Sequence, residues 1–203
     1  GALLDGLLDL GHVAALVDLN AAEGGDTVGI LNFNTTEASE FTVDKDLTVE
    51  LIGSVTDPYS LRFRVSGSVT FISAGLNGSP AAFSPFVVVK DSGTLTVPEY
   101  YDSEETAKNA ISFANVLVET GSSAVLGGGT YSILTADGGT VNLSGSSVRV
   151  SLTLAVQNGG TLIADGVGQI DWLNVSGGTA TVSGSRLERL TVKNGGTATL
   201  NNC

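Results

Sequence analysis

Several residue types that stabilise or equip many protein domains are scarce in this chain of 203 residues. It has one cysteine, Cys203, so an internal disulfide and a metal site built from several cysteines are excluded. Methionine is absent, aromatic residues make up only 6%, and no run of about 18 apolar residues predicts a transmembrane helix. Only nine basic residues oppose 21 acidic ones, which argues against nucleic acid or an anionic membrane as partner. We therefore expect no nucleic-acid partner, no membrane insertion by this segment and no cofactor.

The composition and the charge distribution indicate a folded β-protein with two unlike regions. A hydrophobic content of 42% suffices for a continuous core, and 27 glycines indicate frequent turns. The net charge of −12 arises early in the chain, because residues 1–119 hold 17 acids and 5 bases while residues 120–203 hold 4 of each.

A short repeat dominates the second region. It contains the triplets Gly138-Gly139-Thr140, Gly159-Gly160-Thr161, Gly177-Gly178-Thr179 and Gly195-Gly196-Thr197, whose threonines are 21, 18 and 18 residues apart. Such a period is typical of a solenoid, and units this short, with alternating apolar and small polar residues, predict one coil of stacked strands each. We expect the glycine pairs to turn corners, since glycine adopts positive φ at little cost, and the threonines to start strands with outward side chains.

The first region lacks this repeat but contains strand-like segments. Apolar residues at three- and four-residue spacing predict one or two short amphipathic helices within residues 2–20. Alternation or β-rich composition then predicts strands at residues 27–28, 41–43, 47–51, 61–65, 68–72, 86–89 and 94–97.

This order of segments resembles the first coils of bacterial right-handed parallel β-helix proteins. The resemblance rests on the leading helix, Gly25-Asp26-Thr27-Val28, residues 41–49 and Gly53, and covers about 50 residues. In that family the helix caps the open first coil. The fold we expect is therefore all-β, a right-handed parallel β-helix with an N-terminal amphipathic capping helix. It would form one continuous domain, with a helical cap at 1–24, irregular acidic coils with insertions at 25–110 and regular coils at 111–203.

The strings of residues 175–182 and 192–200 are similar to the Gly-Gly-Thr-Ala-Thr repeats of AIDA-type autotransporter adhesin passengers. The resemblance covers about 70 residues and implies a bacterial surface β-solenoid. The function we expect from it is that of a non-enzymatic, adhesin-like stalk or binding scaffold, secreted or at the cell surface. Its partner would be a glycan or a protein of a host or bacterial surface.

The ligand-binding residues are expected in the acidic insertion at residues 98–110, because insertions from a solenoid collect on one face and often bind partners. Amphipathic rings beside carboxylates suit contacts with carbohydrate or protein. The predicted binding residues are Tyr100, Tyr101, Asp102, Glu104 and Glu105; no catalytic or metal-binding residue is predicted.

A carbohydrate-active β-helix enzyme, either a polysaccharide lyase or a glycosidase, is the main alternative. Glycoside cleavage needs two carboxylates facing a cleft, and Asp44 and Asp46 are a candidate pair, although a solvated turn explains them as well. A lyase needs a basic residue, but Arg186 and Arg189 flank Glu188 and predict a surface ion pair.

Two other features have competing interpretations. Outward Thr-x-Thr pairs resemble those of ice-binding solenoids. Leu162-Ile163 is expected to interrupt the rows, however, and threonine is also common on solvent-facing strands of other proteins. The rows would contain Thr94 and Thr96, Thr140 and Asn142, Thr179 and Thr181, and Thr197 and Thr199. Trp172 would stack on a sugar or, as we favour, fill a corner of a coil.

The last predicted strand is followed directly by Asn201-Asn202-Cys203. An uncovered terminal coil exposes unpaired backbone groups and an apolar cross-section. We expect either a longer native protein or end-to-end self-association through the uncapped C-terminal coil.

Overall fold

The computed structural model describes residues 8–9, 22–31, 39–52, 61–74, 84–99 and 111–203. Every regular element in these ranges is a β-strand. The strands are β1 (Leu8–Asp9), β2 (Thr27–Leu31), β3 (Ser39–Val43), β4 (Leu47–Ile52), β5 (Leu61–Val65), β6 (Ser68–Ala74), β7 (Phe86–Val89), β8 (Thr94–Val97), β9 (Ser112–Glu119), β10 (Ser123–Leu126), β11 (Thr130–Asp137), β12 (Thr140–Ser144), β13 (Arg149–Gln157), β14 (Thr161–Asp165), β15 (Gln169–Ser176), β16 (Thr179–Ser183), β17 (Leu187–Lys193) and β18 (Thr197–Asn201).

The described strands alternate between two parallel sheets. The first sheet has the order β1-β2-β4-β6-β8-β10-β12-β14-β16-β18, and the second runs from β17 through the odd-numbered strands to β3. From β2 onward, consecutive strands along the chain thus lie in different sheets, and each strand pairs with the strand of the next coil. The predicted parallel β-solenoid is confirmed, whereas the handedness of its winding stays a prediction.

Most of the predicted helical cap lies outside the described residues. Of that segment, only Leu8–Asp9 and residues 22–24 are described, and Leu8–Asp9 forms β1, which pairs with Ile30 and Leu31 of β2. The strands predicted in the first region coincide with β2 to β8. Within the described ranges, no helix has the length and apolar character needed to span a membrane.

The core lies between the two sheets, because alternate residues of each strand face inward. In β5, for example, Leu61, Phe63 and Val65 are buried, while Arg62 and Arg64 are exposed. Inward residues of successive strands stand in register and form continuous apolar columns, which removes their side chains from water along the length of the solenoid.

A row of aromatic rings fills part of this core. Phe41 stacks on Phe63 with centroids 5.3 Å apart, Phe63 meets Phe71 edge-to-face at 4.9 Å, and Phe71 meets Phe113 at 5.8 Å. Phe113 stacks on Tyr131 at 5.2 Å. Ring pairs at these distances add to the stabilisation from burial, so the row reinforces the contacts between successive coils.

The corners between the second sheet and the first are built by the predicted glycine pairs. Gly138 has a φ of 73°, which an L side chain rarely adopts. At Gly139, a Cβ would lie 2.6 Å from the backbone oxygen of Glu119 in the preceding coil. The first glycine thus provides the turn, and the second allows successive corners to stack closely.

The second sheet bends where its register shifts. The shifts lie between Tyr131 and Ile133 in β11 and between Val150 and Leu154 in β13. Three residues of β13 therefore lie opposite two residues of β15, which directs several side chains at this bend outward.

Candidate functional site

The predicted ligand-binding residues Tyr100, Tyr101, Asp102, Glu104 and Glu105 lie outside the described residues. Their flanks are described: β8 ends at Val97 in the first sheet, and β9 begins at Ser112 in the second. The insertion therefore joins the two sheets at this corner. Its role in binding stays a prediction.

The candidate carboxylate pair of an enzyme lies in the turn between β3 and β4. Asp44 and Asp46 are both exposed, as expected of a solvated turn. The backbone oxygen of Asp46 accepts a hydrogen bond of 2.7 Å from the amide of Gly25, which joins this turn to the preceding coil. In the part of the chain that the structure describes, no three His, Cys, Asp or Glu residues come together as a metal site.

The bend of the second sheet carries a different cluster, which sequence reasoning did not assemble. We call it the Trp172 patch: Arg149, Leu152, Gln169, Asp171, Trp172, Arg186, Glu188 and Arg189. Its residues come from β13, β15, β17 and the turn before β17, which adjoin one another at the bend.

Trp172 is half-buried on the outer side of the bend rather than within the core. Its indole Nε1 donates a hydrogen bond of 3.1 Å to Oγ1 of Thr191. The guanidinium carbon of Arg189, its register partner on β17, lies 5.5 Å from the ring centroid. The hydrogen bond and the cation–π contact together fix the orientation of the ring.

Polar side chains of the patch form a network centred on Gln169. Its Nε2 donates to Oδ1 of Asp171 at 2.6 Å and to Oε1 of Glu188 at 3.3 Å. Its Oε1 accepts from Nη1 of Arg149 at 3.2 Å. Because the contacts with Arg149 and Glu188 reach the two neighbouring strands and the contact with Asp171 lies within β15, the network holds the amide in one orientation.

The charged groups of the patch are unequally paired. Nη2 of Arg186 lies 3.2 Å from Oε1 of Glu188, so the ion pair predicted there is confirmed for Arg186. Arg189, by contrast, forms no ion pair with any described residue and packs on Trp172 instead. Its guanidinium is therefore free to pair with an anion from outside.

An exposed apolar side chain borders this charged cluster. Leu152 lies opposite Asp171 and Trp172 in the shifted segment of β13, and 59% of its surface is exposed. Ile133 on β11 is also exposed. The patch thus combines an apolar surface with oriented polar groups, as ligand sites commonly do.

The outer face of the first sheet has a different character, because hydroxyl side chains form a row along it. Thr140, Thr161 and Thr179 are register partners on successive strands. The full row contains Ser68, Thr94, Ser123, Thr140, Thr161, Thr179 and Thr197. The expected interruption at Leu162-Ile163 is wrong for this row, since Leu162 points into the core and Thr161 continues the series.

A second, parallel row on this face is less regular. It contains Thr70, Thr96, Val125, Asn142, Ile163, Thr181 and Thr199. Here Ile163 does interrupt the hydroxyl groups, as expected, and Val125 and Asn142 do so as well. The sequence already indicated the continuous row, because the threonine after each glycine pair, Thr161 included, is expected to begin a strand with an outward side chain.

Comparison with protein-family models, curated proteins and solved structures finds no match to this chain. The parallel solenoid therefore rests on the strand pairing itself, and the likeness to adhesin passengers remains a matter of the repeat strings.

Proposed function

We propose that this protein is a non-enzymatic β-solenoid module that acts as an adhesin-like stalk or binding scaffold, secreted or at a bacterial cell surface. The observation that carries the proposal is the pairing of every described strand with strands of adjacent coils over one continuous core. This architecture displays outward side chains at about 4.8 Å per coil along its length.

The mechanism of such a module is display on a rigid support. Side chains held by a packed sheet lose less conformational freedom when they bind, so more of the contact energy appears as affinity. The AIDA-like repeat strings support a surface location, and the partner would be a glycan or a protein of a host or bacterial surface.

Binding and turnover should be measured together on the same polysaccharides. The whole chain is incubated with acidic and neutral polysaccharides, and both its retention on immobilised polymer and any new reducing or unsaturated ends are recorded. We expect retention without new ends. Chain cleavage that is lost in Asp46→Ala would instead establish the carbohydrate-active enzyme.

Self-association through the C-terminal end belongs to the same proposal. Leu190 and Leu200 are 38% and 42% exposed, whereas their register partners one strand earlier, Leu173 and Val182, are fully buried. The strand β18 also carries no charged residue that would oppose pairing with another edge. Sedimentation should show a mass that rises with concentration, and Leu200→Lys should abolish the rise; a monomer at all concentrations would contradict it.

Ice binding is the second candidate function, supported by the uninterrupted hydroxyl row on the first sheet. A regular spacing of hydroxyl groups on a flat face suits a repeating surface better than a single small ligand. Thermal hysteresis tests the idea: it should be present in the wild type, lost in Thr161→Tyr and retained in Thr135→Tyr, which alters the second sheet. Wild-type protein without hysteresis would eliminate this candidate.

A further inference from the structure

We propose that the Trp172 patch binds an acidic oligosaccharide, with a sugar carboxylate paired to Arg189 and a sugar ring packed against Trp172. This inference rests on the proposed binding function. It places a ligand surface on β13, β15 and β17, apart from the insertion at 98–110.

The charge of the patch is opposite to that of the protein as a whole. The chain has a net charge of −12, but the patch holds three guanidinium groups against the carboxylates of Asp171 and Glu188. Arg186 is paired with Glu188, and Arg149 contacts the neutral amide of Gln169. Among the described residues no carboxylate pairs with Arg189, so charge complementarity favours an anionic ligand at this position.

The carboxylate of a sugar acid suits the geometry of this cation. A guanidinium offers two parallel N–H donors to a planar carboxylate, a strong and directional contact. Arg189 is exposed, and its guanidinium lies beside the indole. A ligand that joins a carboxylate to a ring of carbon atoms would therefore meet both groups at once.

The apolar part of the patch suits the ring of the sugar. Trp172 provides an aromatic surface whose orientation is fixed by its hydrogen bond to Thr191. Leu152 extends that surface with an exposed aliphatic side chain. Aromatic side chains with a polar neighbour are suited to ligands that have one apolar face and one polar edge.

The remaining polar groups match the hydroxyls of such a ligand. The Asp171 and Glu188 carboxylates accept hydrogen bonds, and both are already oriented by the Gln169 amide. Because these acceptors are held in place before binding, a hydroxyl donor would meet them at low entropic cost. An acidic sugar thus uses the cation, the ring and the acceptors together.

The chain contains a single tryptophan, so its fluorescence reports on this patch alone. We expect saturable quenching or a shift of tryptophan emission when the full chain is titrated with oligogalacturonate. The same oligomer with methyl-esterified carboxyls serves as the ring-matched neutral probe and should bind at least about tenfold more weakly.

Variants then test the two recognition elements. Arg189→Gln should weaken oligogalacturonate binding at least about tenfold. Trp172→Phe should also weaken it, and because this variant lacks the fluorescent tryptophan its binding is measured by calorimetry. The matched control is Arg62→Gln, because Arg62 lies 5.4 Å from the Phe86 ring and forms a similar cation–π pair elsewhere on the second sheet. It should leave affinity unchanged, and all variants should keep the wild-type melting curve.

Three outcomes would overturn the inference: no saturable change in emission, equal affinity for the charged and esterified oligomers, or equal losses in Arg189→Gln and Arg62→Gln. If the chain is still retained on polysaccharide after such a result, the scaffold function stands and the ligand surface lies elsewhere. If retention is absent on every polysaccharide and on cell surfaces, the proposed binding function itself fails.

Discussion

The two halves of the solenoid fill the same cross-section with different side chains. Up to Tyr131 the core contains a chain of contacting aromatic rings. Beyond it, the register partners of Tyr131 are aliphatic: Val150, then Ile170, then Leu187. The winding therefore depends on inward apolar alternation and strand register, and it tolerates rings in one half and branched chains in the other.

The corners of the two halves share one steric requirement. In the first half, Gly93 lies at a corner without a Gly-Gly pair, yet a Cβ there would lie 2.5 Å from the backbone oxygen of Val65. Gly139 meets the same restriction within the visible repeat. Both halves thus need a residue without a side chain where one corner packs on the next, and the repeat makes this requirement recognisable in only one of them.

The largest expected loss of stability comes from a charge placed in the buried core, and the same charge in the partly exposed last coil should cost less. Val182→Asp should lower the free energy of unfolding by more than about 4 kcal/mol, because it buries a charge without a partner. Leu190 lies in an inward-facing column but is 38% exposed. Leu190→Asp should therefore lower the free energy of unfolding by only about 1–2 kcal/mol. Urea denaturation measures both, and equal losses would show that the C-terminal coil is covered.

The next largest loss of stability is expected when a corner glycine is replaced. Gly139→Ala should cost about 1–3 kcal/mol, because the new Cβ meets the backbone oxygen of Glu119 and the corner must separate. Gly24→Ala is the matched control, since nothing lies within 4 Å of a Cβ there and its stability should barely change. Thermal denaturation compares them, and a neutral Gly139→Ala would show that the corners are not closely stacked.

Removing one hydroxyl from the aromatic row should have a smaller effect. The hydroxyl of fully buried Tyr131 donates a hydrogen bond of 2.7 Å to the Gly128 backbone oxygen, so Tyr131→Phe should cost about 1 kcal/mol. Burial raises the pKa of Tyr131 well above its usual value. The unfolded tyrosine therefore ionises near pH 10 while the folded one stays protonated, and stability should fall as the pH rises above about 10. Tyr131→Phe should flatten that fall; an unchanged alkaline profile would contradict the burial.

The smallest expected effect comes from a surface ion pair in the first half. Nε of Arg64 lies 2.7 Å from Oε1 of Glu40, and this hydrogen bond lowers the pKa of Glu40 below its usual value. Its stabilisation should be present above the unfolded pKa and be lost as the pH falls through the lower folded pKa. Both side chains are about half exposed, so solvent screens the pair. The melting temperatures of the wild type and Glu40→Gln should converge at acidic pH. If the difference between them stays constant as the pH falls, the ion pair is not the source of that difference.

Much of the fold could be predicted from the sequence because strand alternation and corner glycines are local signals. The Thr140, Thr161, Thr179 and Thr197 spacing directly indicated the coils. The Trp172 patch could not be predicted in the same way, because a register shift in β13 decides which side chains turn outward. The contact between Arg189 and Trp172 joins two strands, so neither residue's immediate neighbours indicated it.

Distances between spin labels along the hydroxyl row test the winding most directly. In a Cys203→Ser background, labels at Thr94→Cys and Thr179→Cys are separated by four strand spacings, and labels at Thr94→Cys and Thr197→Cys by five. At about 4.8 Å per strand, pulsed electron paramagnetic resonance should give backbone separations of about 19 Å and about 24 Å. Separations that fail to increase from the first pair to the second would contradict the parallel, in-register solenoid.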